Sequence, residues 1–342
     1  MIVCSKNLKL DCERKTGRIS VVIPTRGRPI LLDRAVQSAL NQDFRDLEVI
    51  VVIDGVDPET EAVLTGFTDP RLHVLSLPNP VGGADARNIG VRYARGKWIA
   101  LLDDDDEWLP NKLALQYNAA ESVPGPYVFV ASRFIERTEH TERELPRRLP
   151  GLHEPFSEYM FARRGWQSGE GFVQTSTWFV SRQLLTDIPF TSGLKRCQDL
   201  DWLLHATAQP ETRVMVVPET LAIFHHDERA ERVSRTSDWR FLFDWIVTNK
   251  RYLTPRAFSF FIATFCVPSA SRQRAGMRIF FSLLRECMLR GSPDCKCLTL
   301  FFCWYMPEGH RRSLRGLLTS DRRAVAPRSL PSIHGPLAGK AN

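Results

Sequence analysis

The chain of 342 residues lacks several features that would each name a class of protein. No apolar run approaches the roughly 20 residues that a membrane-spanning helix needs, and the longest, 257–267 and 297–306, reach about half of that. Residues 1–18 are polar and charged, without the apolar stretch of a secretory leader. Both absences point to a cytoplasmic chain that is not integral to a membrane. The eight cysteines offer no usual structural-zinc spacing: Cys287, Cys295, Cys297 and Cys303 cluster near the C-terminus, but with a Cys-x-Cys step. Reduced thiols in a helical core are the better reading. No helix-turn-helix, zinc-finger or aromatic RNA-binding pattern accompanies the net charge of +7. That excess fits an anionic partner such as a nucleotide or lipid headgroups, and nucleic acid is not expected. No internal repeat is present.

What is present centres on Trp98–Trp108, where an apolar run ends in Asp103, Asp104, Asp105 and Asp106. The run has the length of a buried strand, and its carboxyl end is where open α/β sheets bind ligands. Four adjacent carboxylates repel one another. A hard divalent cation, Mg²⁺ or Mn²⁺, would relieve that repulsion and tie the site to a diphosphate. A solvated charge run is the competing reading, and the neighbouring segments weigh against it.

Strands are expected at Ile19–Ile23, Leu47–Ile53, Arg71–Leu75, Trp98–Leu102 and Tyr127–Ala131, with helices between them. Asp57 and Pro58 read as the N-cap and first residue of one helix, and Gly82-Gly83 opens another. A further helix is expected over Trp108–Ala120. The alternation predicts an α/β fold, a mostly parallel, Rossmann-like sheet flanked by helices. Residues 135–166 are rich in charge and proline and read as a long covering loop. Order resumes at Phe172–Val180, then a helix from Asp199 and strands at Thr212–Val217 and Thr220–Phe224, followed by His225-His226-Asp227. After about residue 237 the pattern is helical (238–253, 255–265, 273–290 and 294–305), with Arg311, Arg312 and Arg315 beyond. The expected organisation is an arm over 1–17, a catalytic domain over 18–236 (donor half 18–131, acceptor half 132–236), a helical extension over 237–321 and a Pro/Ser/Gly-rich tail over 322–342.

Four blocks then carry a resemblance: Val21-Val22-Ile23-Pro24-Thr25 with Arg28; Val51-Val52-Ile53-Asp54-Gly55; Gly83-Ala84-Asp85-Ala86-Arg87-Asn88 with Gly90; and Leu102 to Asp106 with Trp108-Leu109-Pro110. In this order and spacing the chain resembles the family-2 glycosyltransferases of GT-A fold over about its first 235 residues. A fifth block, Gln198-Asp199-Leu200-Asp201-Trp202, resembles that family's acidic acceptor motif, with Gln198 where the first acid usually stands. The resemblance implies inverting transfer of a sugar from a nucleotide diphosphate donor, by default a UDP-hexose, to a glycan or lipid-linked oligosaccharide.

The roles it implies fall on particular residues. Pro24, Thr25, Arg28, Asp54, Asp85, Arg87, Asp103 and Asp104 bind the donor, with Asp54 near base or ribose and Arg28 near the diphosphate. Asp105 and Asp103 hold the metal. Asp199 is the base that takes the acceptor proton, against the alternative of a helix N-cap. Gln198, Asp201, Trp202, Trp178 and His225 belong to the acceptor side or its loops. His226 is either a further metal ligand or an exposed strand-end residue. Trp166 and Trp178 either stack on sugars or pack in the core.

The aromatic-rich, basic C-terminal helices either lie on anionic lipid or pack on the catalytic domain. The first reading would make the protein peripheral at the inner face of the plasma membrane, suited to cell-surface polysaccharide assembly. Processive synthases resembling this family carry Gln-x-x-Arg-Trp and several membrane spans, and neither occurs here. That favours transfer of one sugar at a time. The alternatives are a non-catalytic sugar-nucleotide or glycan-binding relative, and a sugar nucleotidyltransferase. The second would be expected to show a glycine-rich basic loop after the first strand, of which Thr25-Arg26-Gly27-Arg28 is a faint echo.

Overall fold

The computed structural model describes residues 19–226 and 238–306. The arm over 1–17, Asp227, Arg311, Arg312, Arg315 and the tail from 322 lie outside the described residues. Strand and helix alternate through β1 (Ile19–Thr25), α1 (Pro29–Leu40), β2 (Leu47–Ile53), α2 (Pro58–Thr65), β3 (Leu72–Ser76), α3 (Gly83–Tyr93) and β4 (Trp98–Leu101). β1 and β2 are buried along their whole length, as continuous β-branched runs in a covered parallel sheet should be. Asp57 caps α2, accepting the N–H of Thr60 at 3.1 Å ahead of Pro58. Helix α3 lies so close to the sheet that a Cβ on Gly90 would stand 2.4 Å from Val22. Glycine is therefore required there by contact.

The first four strands pair in parallel in the order β3-β2-β1-β4. The chain winds outward from β1 to β3 and then returns to the other side of β1. This reversal opens a crevice between the carboxyl ends of β1 and β4, where such sheets take their ligands. Thr25 ends one strand at that crevice, and the acid run follows the other.

The chain continues through β5 (Glu107–Trp108), α4 (Lys112–Glu121), β6 (Val128–Arg137), β7 (Glu142–Leu145), α5 (Phe156–Phe161), β8 (Phe179–Ser181), α6 (Arg182–Asp187), α7 (Gln198–Thr207) and β9 (Arg213–His225). The sheet extends as β4-β8-β6-β9-β5, with β7 on β6. The expected parallel character holds for the first four strands. Beyond β4, β8 runs antiparallel to both β4 and β6, while β6 and β9 are parallel. Three local expectations change. Trp108 lies in a strand, not a helix, because its buried indole N–H donates to the Ser176 carbonyl at 2.7 Å. The two strands expected over 212–224 are one, with a slip in register against β6 near Val217–Thr220. The loop expected over 135–166 contains the β6–β7 hairpin and α5. Its periodicity was hidden because β7 exposes Glu142, Arg143 and Glu144 and buries only Leu145.

The C-terminal helices are α8 (Trp239–Thr248), α9 (Pro255–Phe261), α10 (Val267–Arg272), α11 (Met277–Arg290) and α12 (Cys295–Cys303), with a π-helical turn at Ile262–Cys266 joining α9 to α10. Their apolar faces form a core that also takes in Phe161 and Leu204. The packing reading holds for the buried aromatics. Phe258, Phe260, Phe261, Phe280 and Phe301 are buried, while Phe281 is 59% and Phe302 44% exposed. Cys266, Cys287 and Cys297 are buried here as free thiols.

Candidate active site

The acid run alternates in depth. Asp103 and Asp105 are partly exposed, whereas Asp104 and Asp106 are buried. Thr25 Oγ1 donates to Asp104 Oδ2 at 2.7 Å, across the crevice from β1. Arg28 Nη1 reaches Asp104 Oδ1 at 3.2 Å and Asp105 Oδ2 at 3.0 Å. Arg87 Nη2 pairs with Asp103 Oδ1 at 2.5 Å. Below them, Gln174 Nε2 and Ser176 Oγ both donate to Asp106 Oδ2 at 2.5 Å. The other Asp106 oxygen has no partner among the described residues. Burial pushes Asp104 up to about 6; Thr25 and Arg28 restrain the rise, and the charges of Asp105 and Asp103 add to it. Burial likewise holds Asp106 well above the ordinary carboxylate range, with Asp105 and Asp103 reinforcing it.

A cavity of about 1480 Å³ opens over this run, and Pro24, Thr25, Arg28, Asp54, Asp85, Arg87, Asp103, Asp104 and Asp105 all line it. So do Gln198 and Asp199, more than 90 residues further along the chain. Asp54 is held inward: its oxygens accept the N–H groups of Val81 at 2.6 Å and Gly82 at 3.0 Å. Gly82 has φ +92°, a conformation that favours glycine, as the chain turns into α3. Asp85 accepts from Ser192 Oγ at 2.7 Å.

Asp199 is not the cap of α7. Cys197 occupies that position with φ 57° and without a capping side-chain bond. Asp199, two residues on, lines the cavity. Burial raises its pKa, the Leu200 N–H and the Arg87 charge oppose the rise, and the charge of Asp103 adds to it. Gln198 accepts from Arg87 Nη1 at 3.3 Å and donates to the Leu194 carbonyl at 2.7 Å. Arg87 therefore spans from the acid run to the first residue of α7.

Five residues expected at the acceptor or metal side do not line this cavity. Trp178 has no exposed surface and lies 5.0 Å from the Trp202 ring in the core, so it is unavailable to a sugar. Trp202 is 1% exposed and donates its indole N–H to the Ile188 carbonyl. Asp201 is buried and accepts from Thr191 Oγ1 at 2.6 Å and Trp245 Nε1 at 2.8 Å, fastening α7 to α8. His225 Nε2 lies 3.2 Å from Glu107, and His226 Nδ1 lies 3.5 Å from Glu136. Among the described residues no three metal-ligating side chains converge.

Sequence reading did not single out Gln174, Ser176 or Arg34. Ser176 accepts the Asp103 N–H at 3.0 Å, and Arg34 donates to the Asp105 carbonyl at 2.6 Å. Their contribution depends on tertiary placement; Ser176 lies 70 residues from Asp106 with no motif linking the two.

An α/β sheet with acids and arginines at its switch point, sharing one cavity with a separate carboxylate, has the arrangement of a group-transfer enzyme for an anionic donor. Residues 20–188 match the sequence profile of Glycosyl transferase family 2, and the chain belongs to that family and is a glycosyltransferase. It is 26% identical over 245 residues to the "Amylovoran biosynthesis glycosyltransferase AmsB" of Erwinia amylovora, covering 69% of this chain and 79% of that protein. It is 33% identical over 98 residues to the "UDP-Glc:alpha-D-GlcNAc-diphosphoundecaprenol beta-1,3-glucosyltransferase WfgD" of Escherichia coli, covering 29% of this chain and 39% of that protein. The fold is similar to that of S. aureus TarS 1-349, solved in complex with UDP-GlcNAc (TM-score 0.54, 18% identity, 86% of this chain and 92% of that one).

Proposed function

We propose that the protein transfers one hexose, with inversion, from UDP-hexose to a hydroxyl of a lipid-linked oligosaccharide during cell-surface polysaccharide synthesis. The observation that carries this reading is that the acid run and Asp199 line one cavity. In the reaction the acceptor hydroxyl oxygen attacks the sugar's anomeric carbon. Asp199 takes the hydroxyl proton, and the bond to the diphosphate breaks with its electron pair leaving on UDP. A base whose pKa is raised by burial holds that proton better than an ordinary aspartate does. Arg28 and Arg87 are cationic partners for the diphosphate as charge develops on it.

The residues present fit a divalent cation. Three carboxylates, those of Asp103, Asp104 and Asp105, share two arginines, and Asp103 and Asp105 are hard oxygen donors on the cavity wall. They would hold Mn²⁺ or Mg²⁺ together with water and diphosphate oxygens, and the ion would neutralise the leaving diphosphate. The names of AmsB and WfgD support the polysaccharide setting and the UDP-linked donor. Calorimetric titration with UDP, GDP and dTDP, each with and without Mn²⁺, tests the reading. Metal-dependent binding of UDP is expected, and no binding of any nucleotide would overturn it.

We also propose that α11 rests on an anionic membrane surface. Met277, Phe281 and Met288 are 54%, 59% and 53% exposed along one stripe, and the exposed Arg278 and Arg285 flank it. No helix among the described residues is long and apolar enough to cross a membrane.

A further inference from the structure

The charges lining the cavity are compensated unevenly. Arg28 and Arg87 are both paired with the acid run. Lys195 and Arg272 also line the cavity, and among the described residues neither has a carboxylate partner. Arg272 lies over the Trp304 ring instead, 5.9 Å from its centroid. Thr264, Pro268 and Arg272, four residues apart, bring one face of the α9–α10 run to the wall. Phe265 joins them, 37% exposed and stacked on Phe261 at 4.6 Å. The π-helical turn at Ile262–Cys266 falls at this wall, a local geometry frequent at functional sites. The segment carrying Lys195 packs on the same helices through Leu194 and Leu200. Aromatic and aliphatic surface beside two uncompensated cations suits a ligand that is anionic at one point and apolar next to it. The C-terminal helices lie beyond the residues matched by the family profile.

We propose that this part of the cavity binds the acceptor's carrier: Lys195 and Arg272 hold a diphosphate, and Phe265 and its aliphatic neighbours hold the isoprenoid carbons attached to it. The proposal rests on the function argued above, in which the sugar end of the acceptor reaches Asp199. The probe is farnesyl diphosphate, titrated into the full chain with and without saturating UDP and Mn²⁺. Farnesol and inorganic diphosphate serve as the apolar-only and anion-only arms.

Farnesyl diphosphate is expected to bind alongside UDP and more tightly than either fragment. Lys195→Gln with Arg272→Gln should weaken it roughly tenfold, as loss of charge-assisted bonds does, and leave UDP affinity unchanged. Phe265→Ser should weaken farnesyl diphosphate but not inorganic diphosphate. Competition by UDP, equal binding of farnesol, or undiminished binding to the double variant would each overturn the proposal. The donor reading fails separately: UDP would not bind, while the arm without UDP would still report on Lys195 and Arg272.

Discussion

Arg87 donates to Gln198 Oε1 at 3.3 Å while its other terminal nitrogen pairs with Asp103. One guanidinium thus ties the acid run at the end of β4 to the helix that carries Asp199. In the acceptor motif that this sequence resembles, the position of Gln198 is acidic. Gln198→Glu would set a second negative charge beside Asp199. A negative neighbour favours the protonated carboxyl, so the Asp199 pKa should rise. The acid limb of the kcat/KM profile should then move about one pH unit higher, read from sugar-transfer rates across roughly pH 5 to 8. A limb that stays in place would separate Gln198 from the electrostatics of the base.

Asp199→Asn should preserve UDP binding and lower transfer by about 10²–10⁴-fold, the range for loss of a positioned general base. On the proposed mechanism, transfer by the unaltered protein requires ionised Asp199. Because burial raises its pKa, activity should fall as pH drops through a value above the ordinary aspartate range. Turnover by the Asn variant at the unaltered rate would assign the base elsewhere.

Asp105→Ala should lower UDP affinity in Mn²⁺ by roughly 10–100-fold, on the scale of damage to a metal site. UDP affinity measured in EDTA should change much less. Equal affinities of variant and parent in Mn²⁺ would remove Asp105 from the metal site.

Asp201→Ala should act on stability. Buried Trp245 would lose the acceptor of its indole N–H, and Thr191 and Asn249 would each lose one bond, at a cost of about 1–3 kcal/mol for the buried donor left unsatisfied. Thermal unfolding reads this as a lower Tm, while kcat of the protein that remains folded should be retained. A variant with unchanged Tm but lost transfer would return Asp201 to the acceptor side.

Phe281→Glu combined with Met288→Glu should abolish co-sedimentation with anionic vesicles and leave UDP affinity intact. Both side chains are more than half exposed, so the fold tolerates the change. Vesicle binding that persists would move the membrane contact away from α11.

That Pro24, Thr25, Asp54 and Arg87 gather at one cavity was legible because these residues sit beside strong local signals. Pro24 and Thr25 end a β-branched strand, Asp54 ends another, and Arg87 follows a glycine-opened helix. The surroundings of Asp199 were less legible, since Asp201, Trp202 and Trp178 share a motif or a neighbourhood with it while their side chains are buried. A period of 3.6 places Asp199 and Asp201 on different faces of α7, but which face meets the cavity is decided by packing on α8. The hairpin within 135–166 was obscured by the charges on its outer face. Gln174 and Ser176 support the acid run through bonds formed only once β8 lies beside β4.

The alternation of Asp103 and Asp105 outward with Asp104 and Asp106 inward gives the acid run a phase. Its composition alone does not carry the site. Inserting one residue between Leu102 and Asp103 would keep four carboxylates but exchange their phase. The carboxylate now held by Gln174 and Ser176 would be carried toward the cavity, and a partly exposed one would be driven into the core. Evolution of this segment is therefore expected to tolerate exchange of individual letters more readily than a shift of frame.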